Sequence, residues 1–292
     1  RRTVRYALLS RETRVPRANV AVLAETDLAG NPTPFAQDVI DIVNQELDDG
    51  SAEPPTATLL THNQDIIDVD SAVGDGPAWL AEGREANDQN AINGMVFLAS
   101  SQAPAAQFVQ DFLDEFHKVK RGDPPDSQFG IDAVQAGEIQ TVGDIQFIAT
   151  SIVNTDTMRD NLRLRGSFTT VGGDFPYCQQ VFVSNVVPDV DQDSTGILAF
   201  KDDLAFFDAA AKPDRIAFEG YIAARILVEA LLQAGPGFDT DTVISTLEGL
   251  SDFDFGSGET YSFSASDHVA SDTVFGARLN ALCEYETIDL EN

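Results

Sequence analysis

Few residues in this chain have the types and spacing that chemistry requires. DVDQDSTG, residues 189–196, alternates Asp189, Asp191 and Asp193 as a calcium loop does. However, Ser194 stands where such a loop needs glycine, and Phe200 where it needs the bidentate glutamate, so the stretch reads as a solvated hinge. SASDHVASD brings Ser264, Asp267 and His268 together in one turn, whereas a catalytic triad requires convergence in space. His62 and His117 lack metal-ligand spacing. A hydrolase on an α/β sheet predicts a GxSxG elbow, and the sequence has neither that nor a glycine-rich phosphate loop. Cys178 and Cys283 lie far apart with no CxxC, which leaves one long-range disulfide or two buried thiols and argues against structural zinc. These residues call for no enzyme activity, no metal and no cofactor.

Composition narrows the partners. The 292 residues carry 48 Asp and Glu against 18 Lys and Arg, a formal net charge of −30, with 43% hydrophobic residues. That hydrophobic content belongs to a folded body, and its length suits two lobes. The acidity repels nucleic acid and anionic membrane, whose phosphates are bound by cations. Acids spread along the whole chain suit a surface adapted to high salt, where screening removes self-repulsion; an ordinary acidic secreted protein is the alternative. Residues 1–17 are basic instead, with six arginines against Glu12. Arg1-Arg2 is followed by no apolar core of signal length, and the lack of an initiator Met reads as a processing, truncation or other edge. No run approaches the roughly 18 apolar residues of a membrane span.

The order of elements carries more. NVAVLA (19–24) is strand-like and is followed by a helix from Phe35, with Thr33 as N-cap and Pro34 in its first turn. The expected inward face of that helix is Phe35, Val39, Ile42, Val43 and Leu47. Strands are expected at 56–60, 95–99, 146–150 and 180–187. Helices are expected at about 78–87, from Pro104 with Ala105, Phe108 and Phe112 inward, and near 155–162. Such alternation predicts a parallel sheet with helices on both faces and a site at the strands' carboxyl ends. After Pro188 the pattern becomes helical: 197–211, 215–234 and 240–250 follow one another with no strand between. FEGYIAARILVEALLQAG (218–235) is apolar nearly all round, apart from a ridge of Arg225, Glu229 and Gln233, so it needs a covering sheet that residues 188–257 cannot build. From Gly258 strands and turns return, with YSFS and VFGARLNALCEYETIDL as candidates.

FVSNVVPD, FEGYIAARILVEAL and LSDFDFGSGETYSFSASDH, preceded by NVAVLAETDLAG, GMVFLASSQAPAAQFV and FIATSIVNTDTM, fall in the order seen in periplasmic solute-binding proteins of the branched-chain amino acid family, which the chain resembles over nearly its whole length. The resemblance implies a type I periplasmic-binding-protein-like α/β fold, in which two Rossmann-like lobes with parallel sheets close over a small ligand. By position, 1–187 form the second lobe with a crossover at its start, 188–257 the helical part of the first lobe, and 258–292 a return crossover and the end of the second. The first half of the first lobe has no counterpart, and a second chain or an N-terminal segment would complete it. The resemblance puts Asp156 where the family holds a ligand's ammonium, the alternative being a helix-dipole role in a first turn. It lines the cleft with Asp27, Leu28, Ser100, Ser101 and Gln102. Leu28 and Gln102 replace frequent aromatic residues, which speaks against an ordinary branched-chain ligand. Ile216 and Phe218 are further ligand candidates, with core packing as the alternative. The implied function is extracytoplasmic capture of an amino acid or amide for an ABC permease. A sensory ectodomain or an assembly scaffold of the same fold are the rival readings.

Overall fold

The computed structural model describes residues 19–63, 71–76, 94–121, 145–150, 155–170 and 173–288, with Val4, Ala7, Leu8, Trp79 and Val153 as isolated positions. The expected helix at about 78–87 lies outside the described residues, Trp79 apart. The chain divides into two compact units, unit 1 comprising 1–184 with 276–292 and unit 2 comprising 185–275.

Unit 1 is built on a sheet whose first strands are β1 (Val20–Thr26), β2 (Thr58–Asn63), β3 (Gly94–Ala99), β4 (Ile145–Thr150) and β7 (Val181–Asn185). They run parallel in the order β2-β1-β3-β4-β7. β1 and β3 are buried along their whole length, the continuous apolar strand that a sheet covered on both faces demands. One face packs on α1 (Pro34–Leu47) and the other on α2 (Gln102–Arg121) and α3 (Thr155–Arg165). Thr33 caps α1 by accepting the Ala36 N–H, and Pro34 opens the helix, as the sequence predicts. The buried face of α1 differs from the expected one. Ala36, Ile40, Val43 and Leu47 face the sheet, while Phe35, Val39 and Ile42 flank it half-buried. Small Ala36 lets the helix lie close to the strands, so the apolar stripe is wider than the contact line. In α2 the expected Ala105, Phe108 and Phe112 are buried, and Phe108 and Phe112 stack edge-on against Phe147 of β4.

Two hairpins extend this unit. β5 (Ser167–Thr170) pairs antiparallel with β6 (Gly173–Pro176), a ribbon the sequence reading did not anticipate. β8 (Phe275–Leu279) and β9 (Tyr285–Ile288) add an antiparallel edge beyond β7. Cys178, in the short 3₁₀ turn that follows β6, is bonded to Cys283 in the β8–β9 turn at 2.04 Å across a sequence separation of 105, which decides between the two options for the cysteines. Arg163 of α3 supports the same turn, donating to the carbonyl of Cys283 at 2.9 Å.

Unit 2 consists of α4 (Thr195–Phe207), α5 (Arg215–Ala234), α6 (Thr240–Glu248) and irregular chain held by isolated bridges. Ser194, Asp214 and Asp239 cap the three helices, each accepting a backbone N–H from the first turn. The core is aromatic: Phe200 and Phe218 lie 5.1 Å apart, and Tyr261 stacks on Phe255. YSFS makes only isolated bridges, and its Tyr261 and Phe263 pack into this core. The division between the two units falls at Gly276. Gly196 and Gly256 bring two backbones into contact, since a Cβ on Gly196 would meet the carbonyl carbon of Gly256 at 2.7 Å. α5 buries Phe218, Ile222, Ile226 and Ala230 along one stripe. Elsewhere on the helix, Ile216, Leu227, Val228 and Leu232 are exposed.

Candidate functional site

Open parallel sheets bind ligands outside the carboxyl ends of their strands, at the point where strand order reverses. In unit 1 that point lies between β1 and β3, from which the order runs outward to β2 on one side and to β4 and β7 on the other. The residues ending these strands are polar: Glu25, His62, Ser100, Ser101, Thr150 and Ser184. Register sets Thr150 beside Ser184, and the buried Thr150 Oγ1 finds no hydrogen-bond partner among the described residues.

The structure treats the sequence candidates differently. Ser100 and Ser101 meet Glu25 and His62 at this edge: His62 Nε2 lies 2.7 Å from Ser100 Oγ, and Glu25 accepts the Ser101 N–H at 2.7 Å. Gln102 opens α2 immediately after them. Asp27 turns its carboxylate onto its own loop, accepting the N–H groups of Ala29 and Asn31 at 2.9 Å each. Its pKa is lowered, chiefly by the Asn31 backbone N–H and then by the Asn31 side chain. Leu28 is 76% exposed.

Asp156 stands second in α3, where the helix dipole favours a carboxylate. Its side chain is 12% exposed and lies 3.3 Å from the Arg159 guanidinium. Arg159 also pairs with Asp160 at 2.9 Å and lies 5.1 Å over the Tyr285 ring. Burial works against the Arg159 charge, but Tyr285, Asp160 and Asp156 more than offset it, so its pKa is raised. A ligand ammonium at Asp156 would share the carboxylate with this guanidinium.

Phe218 is fully buried between Phe200 and Tyr221, which is the core-packing use, and Ile216 is exposed on the other side of α5. Asp189 of the hinge-like stretch pairs with the buried Arg215 at 2.9 Å. No group of His, Cys, Asp or Glu among the described residues could hold a metal. Ser264 accepts the Asp267 N–H, and His268 faces Glu248 at 3.4 Å, so these three residues make no triad. Unit 2 also carries an open apolar hollow of about 380 Å³, lined on α5 by Ile222, Ala223, Ile226 and Leu227. Glu25 and His62 escape a sequence reading because their partners are 76 and 38 residues away; a polar residue ending an apolar strand was the available signal.

Comparison with known proteins bears on the fold. Residues 170–283 match the family model described as periplasmic binding protein. No curated protein matches the chain in sequence. Among solved structures, a possible leucine/isoleucine/valine-binding protein from Rhodopirellula baltica aligns with 99% of this chain and 65% of its own, at 17% identity and TM-score 0.65. A branched-chain amino acid ABC transporter protein from Thermus thermophilus with bound valine aligns over 99% and 64%, at 14% identity and TM-score 0.55. A fatty acid ABC transporter substrate-binding protein from Thermomonospora curvata aligns over 99% and 61%, at 11% identity and TM-score 0.57. This chain thus spans less than two thirds of the length of each. Among the described residues no helix is long and apolar enough to cross a membrane. The chain has the α/β fold of the type I periplasmic binding proteins and, over residues 170–283, the sequence pattern of that family.

Proposed function

We propose that this chain is the solute-capturing part of an extracytoplasmic substrate-binding protein. It takes a small polar solute, an amino acid or amide, by lobe closure and delivers it to an ABC permease; it performs no chemistry on it. The observation that carries this reading is the polar carboxyl edge of unit 1 at the strand-order reversal, where Ser100, Ser101 and Thr150 end otherwise apolar strands. The disulfide between Cys178 and Cys283 supports an oxidising, extracytoplasmic setting. The similar structures name ligands as different as valine and a fatty acid, so the fold leaves the solute open, and the hydroxyl-rich edge favours a polar one. Calorimetry of the 292-residue chain against a panel of L-amino acids and their amides, in molar KCl, tests the reading. Saturable binding of one class supports it, and heats at the level of dilution across the panel overturn it.

A second reading has its own observation. The uncovered face of α5 and its apolar hollow suit further polypeptide that completes the helical unit, either an N-terminal segment or a second chain. Native mass spectrometry of the purified protein distinguishes a chain held with added polypeptide from the chain alone. A stable oligomer that binds no solute would favour the assembly role.

A further inference from the structure

The buried network under the carboxyl edge has a geometry that the solute-binding reading does not itself require. Register sets Glu25 beside His62, and Ala24 beside Ala99, so Ser100 follows at the level of Glu25. In-register side chains of neighbouring parallel strands share a face, and Leu23, Leu60 and Leu98 lie two residues back on that face in one apolar cluster. Glu25, His62 and Ser100 are therefore three polar groups on an apolar floor, with exposures of 8%, 2% and 1%. The His62–Ser100 contact at 2.7 Å reaches across β1, which runs between the two outer strands. Glu25 holds both neighbouring turns, since its carboxylate accepts the Ser101 N–H at 2.7 Å and its carbonyl accepts the Thr33 N–H at 2.8 Å. The Ser101 carbonyl lies 3.4 Å from Ser100 Oγ, within reach of that hydroxyl as donor.

Ser100 has one hydroxyl proton to place. When His62 Nε2 carries a proton, it donates to Ser100 Oγ, and the hydroxyl donates to the Ser101 carbonyl. When Nε2 is bare, the hydroxyl turns to it, and that carbonyl keeps only the Ala105 N–H, at 3.0 Å, as donor. The imidazole thus decides whether the Ser101 carbonyl accepts from the Ser100 hydroxyl as well as from α2.

We propose that Glu25 and His62 are positioning residues that set the Ser100–Ser101 turn, with Ser100 relaying the protonation state of His62 into the carboxyl edge; its bearing on ligand affinity rests on the solute-binding reading. Among the described residues, the acid on the strand next to His62 is Glu25. On 71–76 the acid is the exposed Asp75, and α2 has no titratable side chain before Asp111. The two parts separate experimentally. In the ¹⁵N-labelled 292-residue chain, the Ser101 amide and the His62 ring nitrogens are followed by NMR across about pH 5 to 8. The Ser101 amide is expected to shift with the His62 midpoint, to lose that shift in Ser100→Ala while His62 still titrates, and to keep its exchange protection in Glu25→Gln but not in Glu25→Ala. A Ser101 amide that stays flat, whether because His62 holds one state or because the hydroxyl does not relay it, overturns the proposal. So does a titration unchanged in Ser100→Ala. With L-glutamine, a polar amino acid carrying an amide, as the calorimetric probe, His62→Asn is expected to weaken binding at least tenfold, and wild-type affinity in that variant counts against the proposal. If wild type does not bind L-glutamine, that failure falls on the choice of solute, and the amide titration still decides the positioning role.

Discussion

Asp156 shows how far one residue can be read in advance. Its place in a first helical turn is visible in SIVNTDTM, but its pairing with Arg159 one turn later depends on α3 running on through Arg159, and Tyr285 arrives from the far end of the chain. The carboxylate therefore starts from a satisfied state, and Asp156→Ala has two expected effects. It abolishes binding of an amino acid whose ammonium it holds, read by calorimetry at matched salt, and it leaves Arg159 paired with Asp160, whose side chain is 57% exposed. Arg159→Gln separates the two: tighter binding in that variant shows that guanidinium and ligand compete for one carboxylate, while unchanged affinity removes Asp156 from the site. Asp27 supplies a pH prediction at the same edge. Its folded pKa lies below the ordinary aspartate value because Asn31 and Ala29 donate to it, so the loop's contribution is present above that ordinary value and is lost as pH falls through the depressed one. The protection of the Ala29 and Asn31 amides, taken relative to their intrinsic exchange rates at each pH, should be lost only at that acid end, and protection already lost near neutrality would contradict the assignment.

Secondary elements were legible where periodicity and punctuation agreed. α5 has its Asp214 cap and its Gly235 stop, at φ 77°, and both ends match the expectation. The β5–β6 ribbon was not legible, because strands of 4 residues carry too little alternation to distinguish them from a loop. The disulfide could not be chosen over free thiols from spacing, since it depends on the β8–β9 hairpin bringing Cys283 to the 3₁₀ turn. Replacing both cysteines by alanine should lower stability by about 2–5 kcal/mol, as the loss of a long-loop constraint predicts. Urea denaturation followed at Trp79, the single tryptophan, reads this in unit 1, and an unchanged midpoint would show that the hairpin packs without the bond. α5 itself separates packing from exposure. Phe218→Ala should cost about 3–5 kcal/mol because the ring sits in a full aromatic core. Leu227→Lys with Val228→Glu should cost within about 0.5 kcal/mol per site because neither is buried. If further polypeptide covers this face, the same double substitution abolishes its retention in native mass spectrometry, and full retention places the contact elsewhere.

At the scale of the whole molecule, the sequence reading and the fold meet in the charge. The acids behind the net charge of −30 are spread along the chain instead of being gathered at the strands or the carboxyl edge. Many of the acids do local work, with Asp214 and Asp239 capping helices and Asp48, Asp189 and Asp254 closing turns. Caps and turns need only a side-chain acceptor, which Asn or Ser provides without charge. The excess charge is therefore a property of the surface as a whole, and its cost is mutual repulsion in the compact state. Screening shortens from about 10 Å at 0.1 M salt to about 3 Å at 1 M, less than the spacing of most surface carboxylates. Thermal unfolding in KCl should accordingly give a Tm that climbs steadily over that range. The same protein in sucrose, which favours compactness without screening, should gain much less. Equal gains in both would assign the effect to solvent exclusion and remove the charge argument, and a flat Tm in KCl would make the acidity a matter of solubility alone.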